Sequence, residues 1–450
     1  MSHYKPYPAY KDSGVEWLGQ VPEHWQVKRL KFIATVQTGV AKGKDNVGRD
    51  TIEVPYLRVA NVQDGYLSLD DVTTIEIPRE DLPRYSLKPG DVLMNEGGDF
   101  DKLGRGHVWQ GEIEPCIHQN HVFAVRPAKV PPHWLNAFTG SQTAQFYFMG
   151  RSKQSTNLAS ISSSNVMELP VVVPPDDELP TVLAYLDRET ARLDALIEKK
   201  TRFIELLREK RQALITHAVT KGLDPNVKMK GSGVEWLGEV PEHWDMSPLK
   251  RLVSSISQGW SPECEARIPE DGEWGVVKVG CVNGGVFRPE ESKALPTEME
   301  PRPELSLKAG DVLISRANTR ELVGSCAVVA RDYPNLLLCD KLYRVGCSER
   351  VTSDFLAALV TVYGRRAVEI EATGASSSMV NIAQSVILDL LVAVPGTDEQ
   401  VEIISRISAA TNRIERLREK TERSIDLLKE RRSALITAAV TGQIDLREVV

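Results

Sequence analysis

Two polar loops carry the side chains of this chain that are best suited to binding a ligand. One loop spans residues 95–105, after the motif GDVLM, and the other spans residues 315–324, after the related motif GDVLI. Their amide and basic side chains are Asn95, Lys102, Arg105, Arg316, Asn318 and Arg320. Arginine can pair with guanine O6 and N7, and asparagine with adenine N6 and N7, so these loops are candidates for contact with nucleic-acid bases. An ordinary solvated hairpin is the alternative interpretation.

Four further basic or polar residues are candidates for the same contact. Arg58 and Lys278 each lie between apolar residues in a predicted strand. The alternation of side chains along a strand turns them away from the apolar face, toward either a nucleic acid or solvent. Two polar segments, residues 151–155 and 373–378, precede apolar strands and contribute Lys153 and Ser377.

No catalytic motif accompanies these candidates. The sequence contains no methyltransferase tetrapeptide of the form [DNS]-P-P-[YFW], no P-loop, and no glycine-rich loop between a strand and a helix. The segment CIHQNH at residues 116–121 lacks the partner pairs of a zinc site, and its counterpart LLLCDK at 336–341 has no histidine. We therefore predict a chain that is not an enzyme and binds no metal or cofactor. A nuclease with an unrecognised site is the alternative.

The bulk composition narrows the class of protein. The formal net charge of −7 argues against a uniformly basic DNA-coating protein but permits local basic patches. The six cysteines form no C-x-x-C pair, which favours a reducing cytoplasm. We find no apolar run of about 18 residues, so we predict no membrane span.

The chain is a tandem duplication. Residues 11–31 and 230–250 are identical at 15 of 21 positions, and the match continues through the GDVL motifs to residues 208–224 and 429–445. The two copies agree at their ends and differ in their middles, as expected for one scaffold with two recognition tasks. The repeated tryptophans belong to the invariant part and are therefore predicted to pack in the core or an interface: Trp17, Trp25, Trp236 and Trp244.

Each copy begins with short β-like runs and ends in a long helical pattern. From residue 179 to 222, and again from 400 to 441, apolar residues recur with a period of 3.5. An amphipathic helix of that length needs a partner, so we predict that the two helices pack antiparallel on each other. An intermolecular coiled coil is the alternative. The stripe residues proposed for partner binding are Leu193, Ile197, Leu207, Ile414, Ile425 and Leu428.

Taken together, the motifs YKDSGVEWLG, VPEHW, GDVL, VPP-x-x-E and ALIT-x-AVT, duplicated in register, resemble the specificity subunit of type I restriction–modification systems. The resemblance implies an α+β fold in which two β-rich target recognition domains are linked by two long antiparallel helices with pseudo-two-fold symmetry. We place the first recognition domain at 1–177, the central helix at 178–222, the second recognition domain at 223–398 and the C-terminal helix at 399–450.

The resemblance also implies a function. Each recognition domain would bind one half of a bipartite, asymmetric DNA site. The helix pair would set the spacing and dock two adenine-N6 methyltransferase subunits, and two restriction subunits would cleave. S-adenosylmethionine, ATP and magnesium would bind to those partners and not to this chain. A non-catalytic scaffold that organises other proteins is the alternative function.

The two copies differ where the long helices begin. The family commonly has Glu-Gln there, which the second copy keeps as Glu399 and Gln400. The first copy has Glu178, Leu179 and Pro180, and we expect a shift of at most one residue in the start of the helix.

Overall fold

The computed structural model describes residues 4–43, 48–98, 103–154, 159–364 and 380–447. The chain forms two compact units, unit 1 (Met1–Arg202 with Thr421–Val450) and unit 2 (Phe203–Lys420). Each unit combines short strands with part of both long helices, and this mixed architecture confirms the predicted α+β class. The boundaries of the four regions along the chain remain predictions.

The strands that precede the first long helix are short. They are β1 (Tyr10–Asp12), β2 (Gln20–Pro22), β3 (Gln26–Arg29), β4 (Ala34–Thr38), β5 (Thr51–Leu57), β6 (Thr73–Pro78), β7 (Val92–Asn95), β8 (Gly97–Gly98), β9 (Gly106–Val108), β10 (Ile117–His118), β11 (Val122–Pro127), β12 (Lys153–Gln154), β13 (Ala159–Ser160) and β14 (Pro170–Val173). The helices are α1 (Leu82–Tyr85), α2 (Pro132–Thr139), α3 (Gln142–Arg151), α4 (Ser163–Met167) and the long α5 (Leu179–Lys221).

The second copy repeats this plan. Its strands are β15 (Met229–Gly231), β16 (Glu239–Pro241), β17 (Asp245–Pro248), β18 (Val253–Gln258), β19 (Gly275–Val277), β20 (Ser292–Ala294), β21 (Ser306–Leu307), β22 (Val312–Ser315), β23 (Ala317–Asn318), β24 (Cys326–Val328), β25 (Tyr333–Leu337), β26 (Leu342–Cys347), β27 (Val380–Asn381) and β28 (Leu391–Val394). Its helices are α6 (Ser353–Leu359), α7 (Gln384–Leu388) and the long α8 (Thr397–Val440).

A four-stranded antiparallel sheet of the same order occurs in each unit. The order is β4-β11-β7-β9 in unit 1 and β18-β26-β22-β24 in unit 2. Val125 in β11 pairs with Val92 in β7, and at the matching place Val345 in β26 pairs with Val312 in β22. All four valines are buried, as expected for the apolar runs that predict these strands. The duplication of the sequence is therefore a duplication of topology.

The two long helices pack on each other within each unit. In unit 1, Leu186 and Leu193 of α5 share a core with Leu435 of α8. In unit 2, Val219 of α5 shares a core with Ile403 of α8. The direction is antiparallel, because residues near the start of one helix meet residues near the end of the other. The predicted pairing of the two repeats is confirmed.

The predicted limit of one residue on the shift in helix start is wrong. Relative to the shared glutamates, α8 begins two residues before Glu399, whereas α5 begins one residue after Glu178. The two starts therefore differ by three residues. Pro180 is the physical reason, because it has no N–H to donate to the carbonyl of Asp176 and so interrupts the run of helical bonds. The bond before it is kept in both copies: the N–H of Leu179 donates to the carbonyl of Pro175 at 3.2 Å, and the N–H of Gln400 to the carbonyl of Gly396 at 3.0 Å.

The C-terminal region leaves the helix earlier than its predicted range of 399–450 suggests. The helix ends at Val440, and residues 441–447 form turns and extended backbone. The N–H of Asp445 donates to the carbonyl of Lys5 at 2.8 Å, and Gln443 Nε2 donates to the carbonyl of Gln20 at 2.9 Å. These residues therefore pack on the first strands of unit 1.

Candidate nucleic-acid interface

A glutamate ties each long helix to the repeated motif VPEHW. In unit 1, Trp25 Nε1 donates to Glu178 Oε2 at 3.0 Å, and His24 Nε2 lies 2.5 Å from Glu178 Oε1. In unit 2, Trp244 Nε1 donates to Glu399 Oε1 at 3.1 Å, and the preceding histidine makes the same contact. The repeated motif therefore fixes each β-rich body on its helices.

The structure confirms the predicted packing for two of the four repeated tryptophans, whereas Trp17 is half-buried and Trp236 is exposed on one side. Trp25 and Trp244 are completely buried. Trp17 packs against Tyr147, and Trp236 packs edge-on against Tyr363.

In unit 1, segments that differ between the two copies meet at the end of β7. The N–H of Glu96 donates to the carbonyl of His121 at 2.9 Å, and the carbonyl of Glu96 accepts from the N–H of Ile161 at 2.9 Å. Next along the chain, β8 pairs with β13, which pairs with β12. The loop after GDVLM and the segment that contains Lys153 therefore belong to one small sheet, in which β13 lies between them. We call this surface variable edge 1 (residues 95–98, 104–105, 120–121, 153–154 and 159–161).

Unit 2 builds the same backbone frame from different residues. The N–H of Arg316 donates to the carbonyl of Lys341 at 3.0 Å, and the carbonyl of Arg316 accepts from the N–H of Ile382 at 2.9 Å. Strand β23 pairs with β27, as β8 pairs with β13 in unit 1. We call this surface variable edge 2 (residues 315–318, 324–325, 340–341 and 380–382).

A glycine closes the loop at each variable edge. Gly104 has φ +72° and donates to the carbonyl of Asn95, and Gly324 has φ +80° and donates to the carbonyl of Ser315. Only glycine adopts this backbone conformation without steric cost. The frame of the two edges is therefore conserved between the copies while the other side chains differ.

The predicted contact residues of unit 1 differ in how available they are. Asn95 Nδ2 donates to the carbonyl of Val62 at 2.8 Å, so this side chain holds a neighbouring turn. Arg105 Nη1 lies 3.8 Å from Asp64 Oδ2 at the surface. Lys153 is exposed on β12. Lys153 is thus the most accessible of the three.

In unit 2 the predicted residues also range from enclosed to exposed. Asn318 is buried, and its Oδ1 accepts from the N–H of Thr319 at 2.9 Å. Arg316 Nη1 donates to the carbonyl of Asp340 at 3.2 Å, and its guanidinium lies over the ring of Tyr343. Arg320 is exposed.

The prediction that Arg58 and Lys278 lie within strands is wrong, although their equivalence is correct. β5 ends at Leu57 and β19 ends at Val277, and each basic residue directly precedes a 3₁₀ turn. The strand ends at this point because the N–H of Arg58 donates to the Asn61 side chain and not to a neighbouring strand. Arg58 forms an ion pair with Asp71 at 2.9 Å, and Lys278 pairs with Glu291 at 2.9 Å.

Two predicted residues, Lys102 and Ser377, lie outside the described residues.

Sequence reasoning missed the importance of the residues that flank the frame. His121 Nδ1 lies 2.9 Å from Glu96 Oε2, and at the equivalent place in unit 2 Asp340 and Lys341 lie beside Arg316. In the sequence, segments 116–121 and 336–341 attract attention only as possible metal ligands. The divergence between these segments was the signal that could have identified them as part of the interface.

The candidate metal segment is part of the fold. Ile117 and His118 form β10, and His118 Nδ1 lies 2.7 Å from the carbonyl of Val122. Burial lowers the pKa of His118 and raises the pKa of Cys116 to about 12. Within the described ranges, no group of three potential ligands is arranged to hold a metal ion. Residues 116–121 therefore form a buried strand and the turn that follows it.

Most of the predicted partner-binding residues are enclosed by the protein. Leu193, Leu207, Ile414 and Ile425 are buried, while Ile197 and Leu428 are half-buried. A different set of apolar residues on the long helices is exposed: Leu196, Phe203, Leu206, Leu214 and Leu427. Of the predicted stripe, Leu193 and Leu428 belong to the core that both long helices share in unit 1, and the exposed set is better placed for partners.

None of the helices in the part of the chain that the structure describes has the length and apolar character needed to cross a bilayer.

Comparison with known proteins identifies relatives along nearly the whole chain. A putative type I restriction enzyme MjaX specificity subunit from Methanocaldococcus jannaschii is 23% identical over 434 residues, covering 96% of each chain. The type I restriction enzyme EcoKI specificity subunit from Escherichia coli is 20% identical over 95% of this chain and 90% of its own. This chain is a relative of the type I specificity subunits. The resemblance expected from the motifs is confirmed, and these names agree with the prediction that the chain is a specificity subunit and not an enzyme.

Solved structures share the fold. A chain from work on complex assembly and conformational transition of the type I R-M system has a TM-score of 0.69 at 16% identity, over 94% of this chain and 99% of its own. The HsdS subunit from Thermoanaerobacter tengcongensis has a TM-score of 0.50 at 15% identity, over 94% and 98%. No family model matches the chain.

Proposed function

We propose that this chain is the DNA sequence-specificity subunit of a type I restriction–modification complex, in which each unit recognises one half of a bipartite, asymmetric site. The observation that carries the proposal is the pair of variable edges. They share the same backbone hydrogen bonds at Glu96 and Arg316 but present different side chains. A protein that recognises two different half-sites needs such a shared frame with divergent contacts, because the side chains carry the base specificity.

In this proposal the paired helices set the spacing between the half-sites and bind the methyltransferase subunits. The exposed apolar residues of α5 support the second role. In unit 2, Phe203, Leu206 and Leu214 share one face of the helix by its 3.6-residue period. Exposed apolar patches of this kind are typical of protein interfaces.

The remaining parts of the proposal concern the complex. Two methyltransferase subunits would modify adenine N6, and two restriction subunits would translocate and cleave DNA in the cytoplasm. S-adenosylmethionine, ATP and magnesium would bind to those subunits.

Exchange of the interior of one unit tests the proposal. Residues 30–171 would be replaced by the equivalent segment of a related specificity subunit, and adenine methylation would be mapped in cells that also express the methyltransferase subunit. We expect one half of a split motif to change while the other half and the spacer remain. An unchanged motif would favour the scaffold alternative, and the reciprocal exchange in unit 2 is the matched control.

A pair of substitutions on α5 tests the docking face. Leu206→Asp, on the exposed face, should weaken copurification with the methyltransferase subunit and leave thermal unfolding close to wild type. Leu207→Asp should unfold the protein instead, because Leu207 is buried. Full assembly by the Leu206→Asp variant would contradict the assignment of this face.

A further inference from the structure

Glu96 and Arg316 occupy the same position in the two units. Each is the first residue after the GDVL strand, and each makes two matching backbone hydrogen bonds, one to the segment at 121 or 341 and one to the segment at 161 or 382. A superposed backbone therefore holds a carboxylate in unit 1 and a guanidinium in unit 2.

The neighbours of this position also change between the units. Beside Glu96, the chain has Asn120 and His121, and the imidazole lies 2.9 Å from the carboxylate. Beside Arg316, it has Asp340 and Lys341. The charge of the side chain at this position and the identity of its neighbours therefore both differ between the units, while the backbone hydrogen bonds are the same.

Both side chains are held in place by neighbouring residues and still have polar atoms that a ligand could contact. Glu96 is partly exposed, and only its Oε2 faces His121, so Oε1 has no hydrogen-bond partner among the described residues. The Arg316 guanidinium is fixed over Tyr343 and by the carbonyl of Asp340. Arg316 as a residue is partly exposed, which leaves its guanidinium within reach of a ligand, although its Nε is buried and has no hydrogen-bond partner within the described ranges.

The carboxylate is informative because of what it cannot bind. A negative side chain at a DNA surface is repelled by the phosphates, so it gives no affinity that is independent of sequence. A carboxylate has only acceptors, and the base groups that can satisfy it in the major groove are the amino groups of cytosine N4 and adenine N6. Guanidinium has only donors, which match the guanine acceptors O6 and N7.

We propose that the position occupied by Glu96 and Arg316 determines base specificity, with Glu96 selecting a base that presents an amino group in the major groove and Arg316 selecting guanine. This inference rests on the proposed function of the two units in DNA recognition. Each residue contributes to one half-site only. His121, which Asn120 contacts, positions the Glu96 carboxylate, and the backbone carbonyl of Asp340 positions the Arg316 guanidinium.

The test uses the complex with its methyltransferase subunit and a methylation map of cellular DNA. In one variant, Glu96→Arg is combined with Asn120→Asp and His121→Lys, which transfers the residues of unit 2 onto unit 1. In the reciprocal variant, Arg316→Glu is made in unit 2. Glu96→Gln is a milder change, because an amide offers a donor as well as an acceptor. Glu16→Arg, an exposed charge reversal in unit 1 away from variable edge 1, is the matched control.

We expect the transfer variant to change the preference at one base pair of one half-site toward guanine, by roughly ten- to a hundred-fold in competition binding. The other half-site and the spacer should stay the same, Arg316→Glu should act on the opposite half, and Glu16→Arg should change nothing. Glu96→Gln should relax the preference at the same base pair as the transfer variant.

Two results would overturn the inference. One is an unchanged motif in the transfer variant. The other applies if the transfer variant is folded but no longer binds DNA. In that case the inference fails if Glu96→Gln keeps the wild-type preference at every base pair of the half-site. A wild-type complex that yields no bipartite motif would instead refute the proposed function itself, so the two failures are distinguishable.

Discussion

The buried amide of Gln400 offers the sharpest test of how the duplicated framework is held together. Its Oε1 accepts from the N–H of Thr352 at 2.9 Å, and its Nε2 donates to the carbonyls of Arg350 at 2.8 Å and Pro395 at 2.9 Å. In unit 1 the equivalent position is Leu179, which is also buried. We predict that Gln400→Leu weakens the start of α6 and leaves unit 1 unchanged.

Unit 1 tolerates leucine because it lacks the donor. The residue equivalent to Thr352 is Pro131, which has no N–H. Both residues have the same extended conformation, with φ −77° and ψ 150° at Thr352 and φ −62° and ψ 142° at Pro131. At the same junction, unit 2 therefore pairs a glutamine with a backbone N–H, whereas unit 1 places a leucine next to a proline.

The expected effect follows from the hydrogen bonds lost. Leucine fills a similar volume but leaves one N–H and two carbonyls without this partner, and each unsatisfied buried group costs about 1–3 kcal/mol. Part of this cost is offset by the apolar side chain. We expect a net loss of about 2–4 kcal/mol, which corresponds to a rise of roughly 30-fold or more in the population of the locally open state.

Hydrogen exchange measured by mass spectrometry provides the assay. Peptides that cover α6 should exchange faster in the Gln400→Leu variant, and peptides that cover α2 are the control within the same molecule. A double-mutant cycle with Thr352→Pro separates the hydrogen bond from the general effect of the mutation. Thr352→Pro should cost about 1–2 kcal/mol less in the Gln400→Leu background than in wild type, because the N–H is then already unsatisfied.

The reasoning would be refuted by additive costs in this cycle, or by equal changes in the exchange of α2 and α6. Either result would mean that the amide of Gln400 does not act through the N–H of Thr352.

Three further predictions use the difference between matched residues in the two copies or the two helices. Glu178→Gln should lower stability more than Glu399→Gln, by about 1–3 kcal/mol in chemical denaturation. The reason is that Glu178 also accepts a hydrogen bond from Tyr7 and that its side chain is 8% exposed, against 30% for Glu399. Equal losses of stability in the two variants would contradict this. Asp91→Asn should destabilise unit 1 by about 2–4 kcal/mol, because buried Asp91 is bound by two nitrogens of Arg126 at 2.7 and 2.6 Å. Burial raises the pKa of the equivalent Asp311, whose Arg344 partner stays 4.0 Å away, so its charged form is disfavoured in the fold. Asp311→Asn should therefore raise thermal stability at pH 7, and the gain should vanish below about pH 3.8, where aspartate is protonated in both states; a loss at pH 7 would contradict the assignment. Insertion of one helical turn into both α5 and α8 should lengthen the spacer of the methylated motif by about two base pairs, at 1.5 Å per residue against 3.4 Å per base pair, and an unchanged spacer would refute the role of the helices in spacing.

The sequence alone determined the duplication, the paired helices and the likeness to specificity subunits. These features are visible as repeated segments and as regular spacing of apolar residues. A helix with apolar residues every 3.5 positions needs a second apolar surface to cover them, whatever the detailed packing. The packing role of Trp25 and Trp244 also followed, because an invariant residue cannot account for two different specificities. The sequence did not relate the loop after GDVLM to the polar segment that contains Lys153, because only the strand pairing joins them in one sheet.

Tertiary structure decided which side chains are available. Leu193 and Ile414 are predicted from their spacing to bind a partner, but a period alone does not say which apolar face the protein itself covers, and the structure buries both residues. Arg58 was expected on a strand face, yet its ion pair with Asp71 depends on a residue 13 positions away. The GDVL motifs align Glu96 with Arg316, but only the hydrogen bonds to segments distant in the chain show that both lie at the centre of the same backbone frame. Such contacts join residues that no local pattern relates, and only the folded backbone brings them together.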